Sequence, residues 1–179
     1  MFYAFGFEHL GVVLSDLYFV DPAPQPGQEG AERGVRLEVR IFERPEPEGS
    51  VYAARPINVG RPVWRADLLE SVTSAAGSFD RTHHHPRFRG WEPSGRIFEE
   101  DLSADPVPWV AQRLGDIDTL LAGADLTDLE VTDAEREELR AAIPDIEAAL
   151  HRLLARVHQG ELAQAPAGGP VAAARTGWL

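Results

Sequence analysis

The hydrophobic period of this chain changes near residue 105, and few folds accommodate that change. Upstream, Val35, Leu37, Val39 and Ile41 alternate with Arg36, Glu38, Arg40 and, less cleanly, Phe42 across Val35–Arg44. A period of two turns an aliphatic face inward and a charged face outward. Leu14–Asp21 supplies a partner strand, and the Pro- and Gly-rich stretch Pro22–Gly34 between them reads as an exposed loop. Pro45–Ser50 makes a second turn. Val51–Val72 is strand-like but broken at Pro56, Gly60 and Pro62, so it forms two strands or one bent edge strand. Ala75–Ser78 turns the chain, Ser78–His85 is a further strand closed by Pro86, Arg87–Gly95 is irregular, and Arg96–Glu100 is a last short strand.

Downstream the period is helical. Asp105 before Pro106 marks a helix start. Val110, Leu114, Ile117 and Leu121 then recur at steps of four, three and four, and Gly123 is a natural stop. Thr132 with Glu135 three residues on forms a capping box. Leu139, Ile143, Ile146, Leu150, Leu153 and Val157 continue as a heptad-like seam, with Pro144 expected to kink or split the helix. The predicted class is α+β: a small antiparallel sheet or partly open β-barrel over about residues 1–100, packed by two or three C-terminal α-helices. One domain spans 1–159, β-rich to 104 and helical over 105–159. Residues 160–179, rich in Ala, Gly and Pro, read as a tail with Trp178 and Leu179 as its anchors. The 139–157 seam packs on the sheet; a homodimer through it is the alternative, since three heptads are short for a coiled coil.

Composition removes several function classes. The 179 residues include no Cys and no Lys. Disulfides, thiolate metal sites, a Cys nucleophile, Schiff-base chemistry and a P-loop lysine are therefore excluded. A net charge of −12 argues against nucleic acid and against an anionic membrane as partners. The apolar start, Met1–Val20, is interrupted by Glu8, His9 and Asp16 and lacks a basic leader region. The expected setting is cytoplasmic.

The charge is unevenly distributed. Val51–Arg96 carries seven Arg against four acids, whereas Glu99–Glu147 carries fifteen acids against three Arg. Either the basic strands pair with acidic helices, or Arg61, Arg65 and Arg81 line a pocket for a carboxylate or phosphate, which a planar guanidinium binds through two oxygens. Arg61 and Arg65 share one strand face.

The run Asp80-Arg81-Thr82-His83-His84-His85-Pro86 is the most distinctive segment. On a strand His83 and His85 point one way and His84 the other. Alternate histidines converge on one side of a sheet, a chelating geometry for zinc or non-haem iron. A third ligand would come from Glu8, His9, Asp80, Glu99, Glu100 or Asp101. Without a metal, the histidines would instead do acid–base work or contact a ligand, with Asp80 or Glu99 orienting a ring; a surface role is the third option. Trp91, in the rigid Gly90-Trp91-Glu92-Pro93 loop, is a candidate pocket wall. The expected site therefore has His83 and His85 as ligands of a divalent metal, Asp80 and His84 as catalytic groups, and Arg61, Arg65, Arg81 and Trp91 holding a small anionic substrate. The corresponding function is a metal-dependent enzyme; the alternative is a metal-free module that binds an anion or a protein.

Overall fold

The computed structural model describes residues 1–43, 45–46, 48–124, 126 and 129–168, together with the backbone of 174–177. Five strands form an open antiparallel sheet in chain order: β1 (Phe2–Gly6), β2 (Leu10–Val20), β3 (Ala31–Glu43), β4 (Asn58–Ser71) and β5 (His83–His85). A small hairpin, β6 (Phe88–Arg89) and β7 (Glu92–Pro93), follows. Four helices come next: α1 (Glu100–Ala104), α2 (Pro106–Gly115), α3 (Ile117–Ala122) and α4 (Asp133–His158). A last strand, β8 (Ala174–Gly177), pairs with β2 at Leu17–Val20, beyond the stretch that β1 occupies. The α+β class is as expected, with an open sheet rather than a barrel. The anchors proposed for the tail, Trp178 and Leu179, lie outside the described residues. Among the described residues no helix is long and apolar enough to cross a membrane.

Several boundaries differ from the pattern reading, each for a physical reason. Residues 31–34 belong to β3 and not to the loop, because β2 is long enough to pair with them. Asn58–Ser71 is one strand whose register against β3 shifts around Arg40, where Pro62 cannot donate to a ladder. Only three residues of Ser78–His85 are strand, and Arg96–Glu100 contributes a single bridge, Ile97 to His84, before α1 begins. The Val110–Leu121 periodicity is cut at Asp116, whose side chain accepts a hydrogen bond from the Thr119 N–H at 3.4 Å and opens α3. The helix α4 runs through Pro144 without splitting.

Thr132 caps α4 by accepting from the Glu135 N–H at 3.2 Å. The reciprocal half of the capping box is not used. Instead the buried Glu135 carboxylate accepts from the backbone N–H of His9 (2.6 Å) and of Leu10 (2.8 Å). Two donors from the β1–β2 turn offset the cost of burying that charge, and they tie the start of α4 to the edge of the sheet.

Strand parity gives the sheet two faces. Val12, Leu14, Val35, Leu37, Val39, Ala66 and Leu68 form the apolar one, in one core with Leu114, Leu139, Ile146, Leu150, Leu153 and Val157. Burying each leucine of that set contributes roughly 1.5–3 kcal/mol. The apolar residues of the 139–157 seam are thereby taken up inside the chain, Leu150 and Leu153 at 0% exposure.

The opposite face carries Arg36, Glu38, Arg40, Arg65 and Asp67. It was expected to face solvent, and it is buried, with Asp67 only 1% exposed. The reason is the segment 86–98, which folds across it. Trp91 lies over the Arg40 guanidinium at 5.6 Å. Arg96 reaches Glu32 at 2.9 Å and Asp21 at 3.4 Å. Nothing in an alternating pattern reveals that a distant hairpin will cover the polar side.

Candidate metal centre

Register places the site. Asp67 on β4 is directly opposite His83 on β5, and Arg65 is opposite His85. On the far side of β4, Asp67 faces Arg36 of β3. Side chains at these positions share one face of the pleat, so Asp67, His83 and His85 converge while His84 turns to the other side. One donor atom from each of the three lies within 4.8 Å of the others, and all three residues are buried. The group forms part of the wall of a cavity of about 350 Å³ that is also lined by Phe19, Trp91 and Arg96.

Both imidazoles are held by their backbone-side nitrogen. His83 Nδ1–H donates to the Arg81 carbonyl at 2.7 Å, and His85 Nδ1–H donates to the Ser94 carbonyl at 2.5 Å. A carbonyl only accepts, so each neutral ring carries its proton on Nδ1 and presents the Nε2 lone pair inward. That is the second-sphere arrangement typical of metal-ligating histidine. The two Nε2 atoms lie 3.4 and 3.6 Å from Asp67 Oδ2. Bonds of about 2.0–2.1 Å in a tetrahedron separate neighbouring donors by roughly 3.3 Å. Both Nε2 atoms therefore stand from Asp67 Oδ2 at the spacing that donors take around one cation.

Two guanidiniums already serve Asp67. Arg36 binds it through Nε at 2.6 Å and Nη2 at 3.2 Å, and Arg65 Nε approaches at 3.0 Å. Burial works against the Asp67 carboxylate, yet Arg36 and Arg65 together hold it well below the usual carboxylate range. Arg65 Nη2 also donates to His85 Nε2 at 2.8 Å. Burial pushes the His85 imidazole below its ordinary value, with Arg65 adding to the effect, against the pull of Asp67.

Comparison with protein-family models, with curated proteins and with solved structures finds no match for this chain.

The structure brings some of the expected residues together and separates others. His83, His85, Arg65 and Trp91 meet at the cavity. His84 lies on the helix-facing side, 5.2 Å from the Trp109 ring, and its Nε2–H donates to Glu99 at 2.9 Å. Glu99 is thus an orienting carboxylate, as the sequence suggested, but for a ring away from the metal group. Asp80 is not at the site. It accepts from the Ser71 N–H, the Ser74 hydroxyl and the Ser78 hydroxyl, and so shapes the β4–β5 turn. Arg81 holds the Gly27 carbonyl at 2.5 Å, and Arg61 lines a neighbouring groove.

The arginines of Val51–Arg96 that are paired find their acids mostly on the sheet and at its edge, in Asp67, Glu32 and Asp21, rather than on the helices. The third member of the group, Asp67, is not among the acids that the sequence reading names. It shares the parity of Arg65, two residues before it, whereas the register shifts at Arg40 interrupt that parity before Arg61. A second His/Glu group, Glu8, His9 and Glu135, has its buried carboxylate committed to the α4 tether.

Acid should unfold this protein in two stages. Burial also lowers the His84 value, so His84, His85 and Asp67 all bind protons less readily folded than unfolded. Stability is then complete above the unfolded histidine value, about 6.5. It falls as the unfolded chain takes up protons below that pH, and falls again below about 4, where unfolded Asp protonates. Urea midpoints across pH 8 to 3.5 would show this; a midpoint constant between pH 7.5 and 5 would contradict it.

Proposed function

We propose that this chain is a mononuclear metalloprotein in which Asp67, His83 and His85 hold a divalent transition metal, zinc or ferrous iron, for chemistry on a small anionic substrate. The observation that carries the reading is the pair of Nδ1–H bonds to the Arg81 and Ser94 carbonyls, which aim both Nε2 lone pairs at Asp67 Oδ2. Two histidines and one carboxylate leave coordination positions open, the donor set of non-haem iron and catalytic zinc centres. A metal there supplies Lewis-acid polarisation and an acidified water.

The surrounding residues have definable tasks. Arg36 clamps Asp67 and sets its direction. Arg65 exchanges its bond to His85 for one to the anionic oxygens of the substrate when the imidazole is engaged. Trp91, 63% exposed, forms the outer wall of a cavity of suitable size for a small metabolite.

A second reading rests on the Arg65–His85 contact. With Arg65 seated on Nε2, the same cavity is a metal-free anion receptor built on guanidiniums, with the imidazoles as part of its wall.

Metal content of untagged protein, purified without chelating resin, separates the two. We expect about one equivalent of a transition metal, lost in His83→Ala while the circular dichroism spectrum is retained. Absence of metal after incubation with zinc and with ferrous iron would overturn the metalloprotein reading and leave the anion receptor.

A further inference from the structure

Beside the metal cavity lies a larger open groove of about 940 Å³, lined among others by Arg61, Arg87, Phe88, Arg89 and Glu92. Arg61 comes from β4, whereas Arg87 directly precedes β6 and Arg89 lies on it, either side of Phe88. Nearly all the charge of the sheet face is neutralised in pairs, Arg36 with Asp67, Arg40 with Glu38, Arg96 with Glu32. Here, among the described residues, no ion pair is made by Arg61, Arg87 or Arg89, and three guanidiniums share one groove with a single carboxylate, Glu92. In a chain of net charge −12, three guanidiniums gathered in one groove make a local field of the opposite sign, which concentrates anions there.

The groove and the metal cavity are also joined. Glu92 and Pro93 line both. The Phe88 ring in the groove wall lies under the Arg65 guanidinium, 5.8 Å away, and Arg65 reaches Asp67 and His85.

We infer that the Arg61–Arg87–Arg89 groove is a subsite for a phosphate or diphosphate group of a small molecule whose other end lies in the metal cavity. Guanidiniums bind tetrahedral phosphate oxygens two at a time, and three of them suit an anion with more oxygens than one carboxylate offers. This deepens the reading above by naming the substrate class: a phosphorylated metabolite rather than any small anion.

The test uses inorganic pyrophosphate titrated calorimetrically into the metal-stripped protein at low ionic strength, so that it does not depend on the metal. Saturable binding is expected. Loss of two charge-assisted contacts predicts that Arg87→Gln/Arg89→Gln weakens it at least tenfold. Both residues are exposed, so the melting temperature without pyrophosphate should not move. Arg140→Gln/Arg152→Gln removes the same two charges from exposed positions on α4, outside the groove, and should bind like the wild type. The inference is overturned if the wild type shows no saturable binding, if Arg87→Gln/Arg89→Gln binds unchanged, or if Arg140→Gln/Arg152→Gln weakens binding equally, which would mark diffuse charge attraction. Metal content of the same variants, expected to stay at the wild-type level, is read separately. Failure of the groove therefore leaves the metal measurement standing, and failure of the metal leaves pyrophosphate binding as the direct result.

Discussion

Asp67→Asn is expected to destabilise the protein by about 3–5 kcal/mol and to abolish metal binding. The carboxylate is 1% exposed and meets two guanidiniums, Arg36 at 2.6 Å and Arg65 at 3.0 Å. The substitution keeps the volume and removes the charge. The Arg36 side chain is only 7% exposed and is then left buried without its counter-ion. Removing one partner of a buried pair costs far more than the pair itself contributes, because the stranded charge cannot recover its hydration. Urea denaturation measures the loss. A cost below about 1 kcal/mol would mean that water reaches Arg36 and that Asp67 is not the hub of this face. Because the same oxygen is the proposed ligand, His83→Ala is the cleaner probe of metal alone: it removes a donor without stranding a cation.

Gly34→Ala should lower stability by about 3 kcal/mol or more, the upper range of overpacking costs, equivalent to a melting temperature lower by on the order of 10 °C. A Cβ at this position would sit 2.0 Å from the Leu68 carbonyl oxygen and 3.0 Å from the Leu69 Cα. Both are backbone atoms of β4, so no side chain can rotate away; the strands themselves must separate. Gly34 lies two residues before Arg36 on the same face, opposite Leu69. Separating the strands there pulls at the Arg36–Asp67 pair next to it. Differential scanning calorimetry decides the matter, and a melting temperature within 2–3 °C of the wild type would show that β3 and β4 are not held as closely as described.

The distances that define the metal group follow from pairing and not from spacing along the chain. His83 and His85 were legible because alternation on a strand is a local property: residues two apart point the same way whatever the strand pairs with. The third member of the group was not, because Asp67 reaches them only through the antiparallel register of β4 with β5, across a turn built by Asp80 and three hydroxyl or amide donors. The same local rule correctly separated His84 from its neighbours. It could not say that Glu99 would be waiting on that side.

Helix starts behaved in the same way. Thr132 capped its helix as its residue type dictates, since an N-cap bond closes within three residues. Glu135, assigned by the same motif to reach back, instead took two N–H groups more than a hundred residues away. A local motif fixes which atoms are able to bond; competition from the rest of the fold chooses the partner.

By itself, then, the sequence determined that β1 to β5 precede the helices, the apolar face of β3 and the α4 seam, and the convergence of two histidines, but not that β8 follows in the stretch read as a tail. These depend on periods of two and of three to four residues, which the backbone enforces over short distances. Only the tertiary structure decided that the polar face of the sheet is enclosed, that Asp67 and not an acid near the histidines completes the group, and that Arg65 joins it while Arg61 and Arg81 do not. Those outcomes turn on strand register and on where the 86–98 segment lies. Both are set by contacts between residues far apart in the chain, whose energies no stretch of sequence contains on its own.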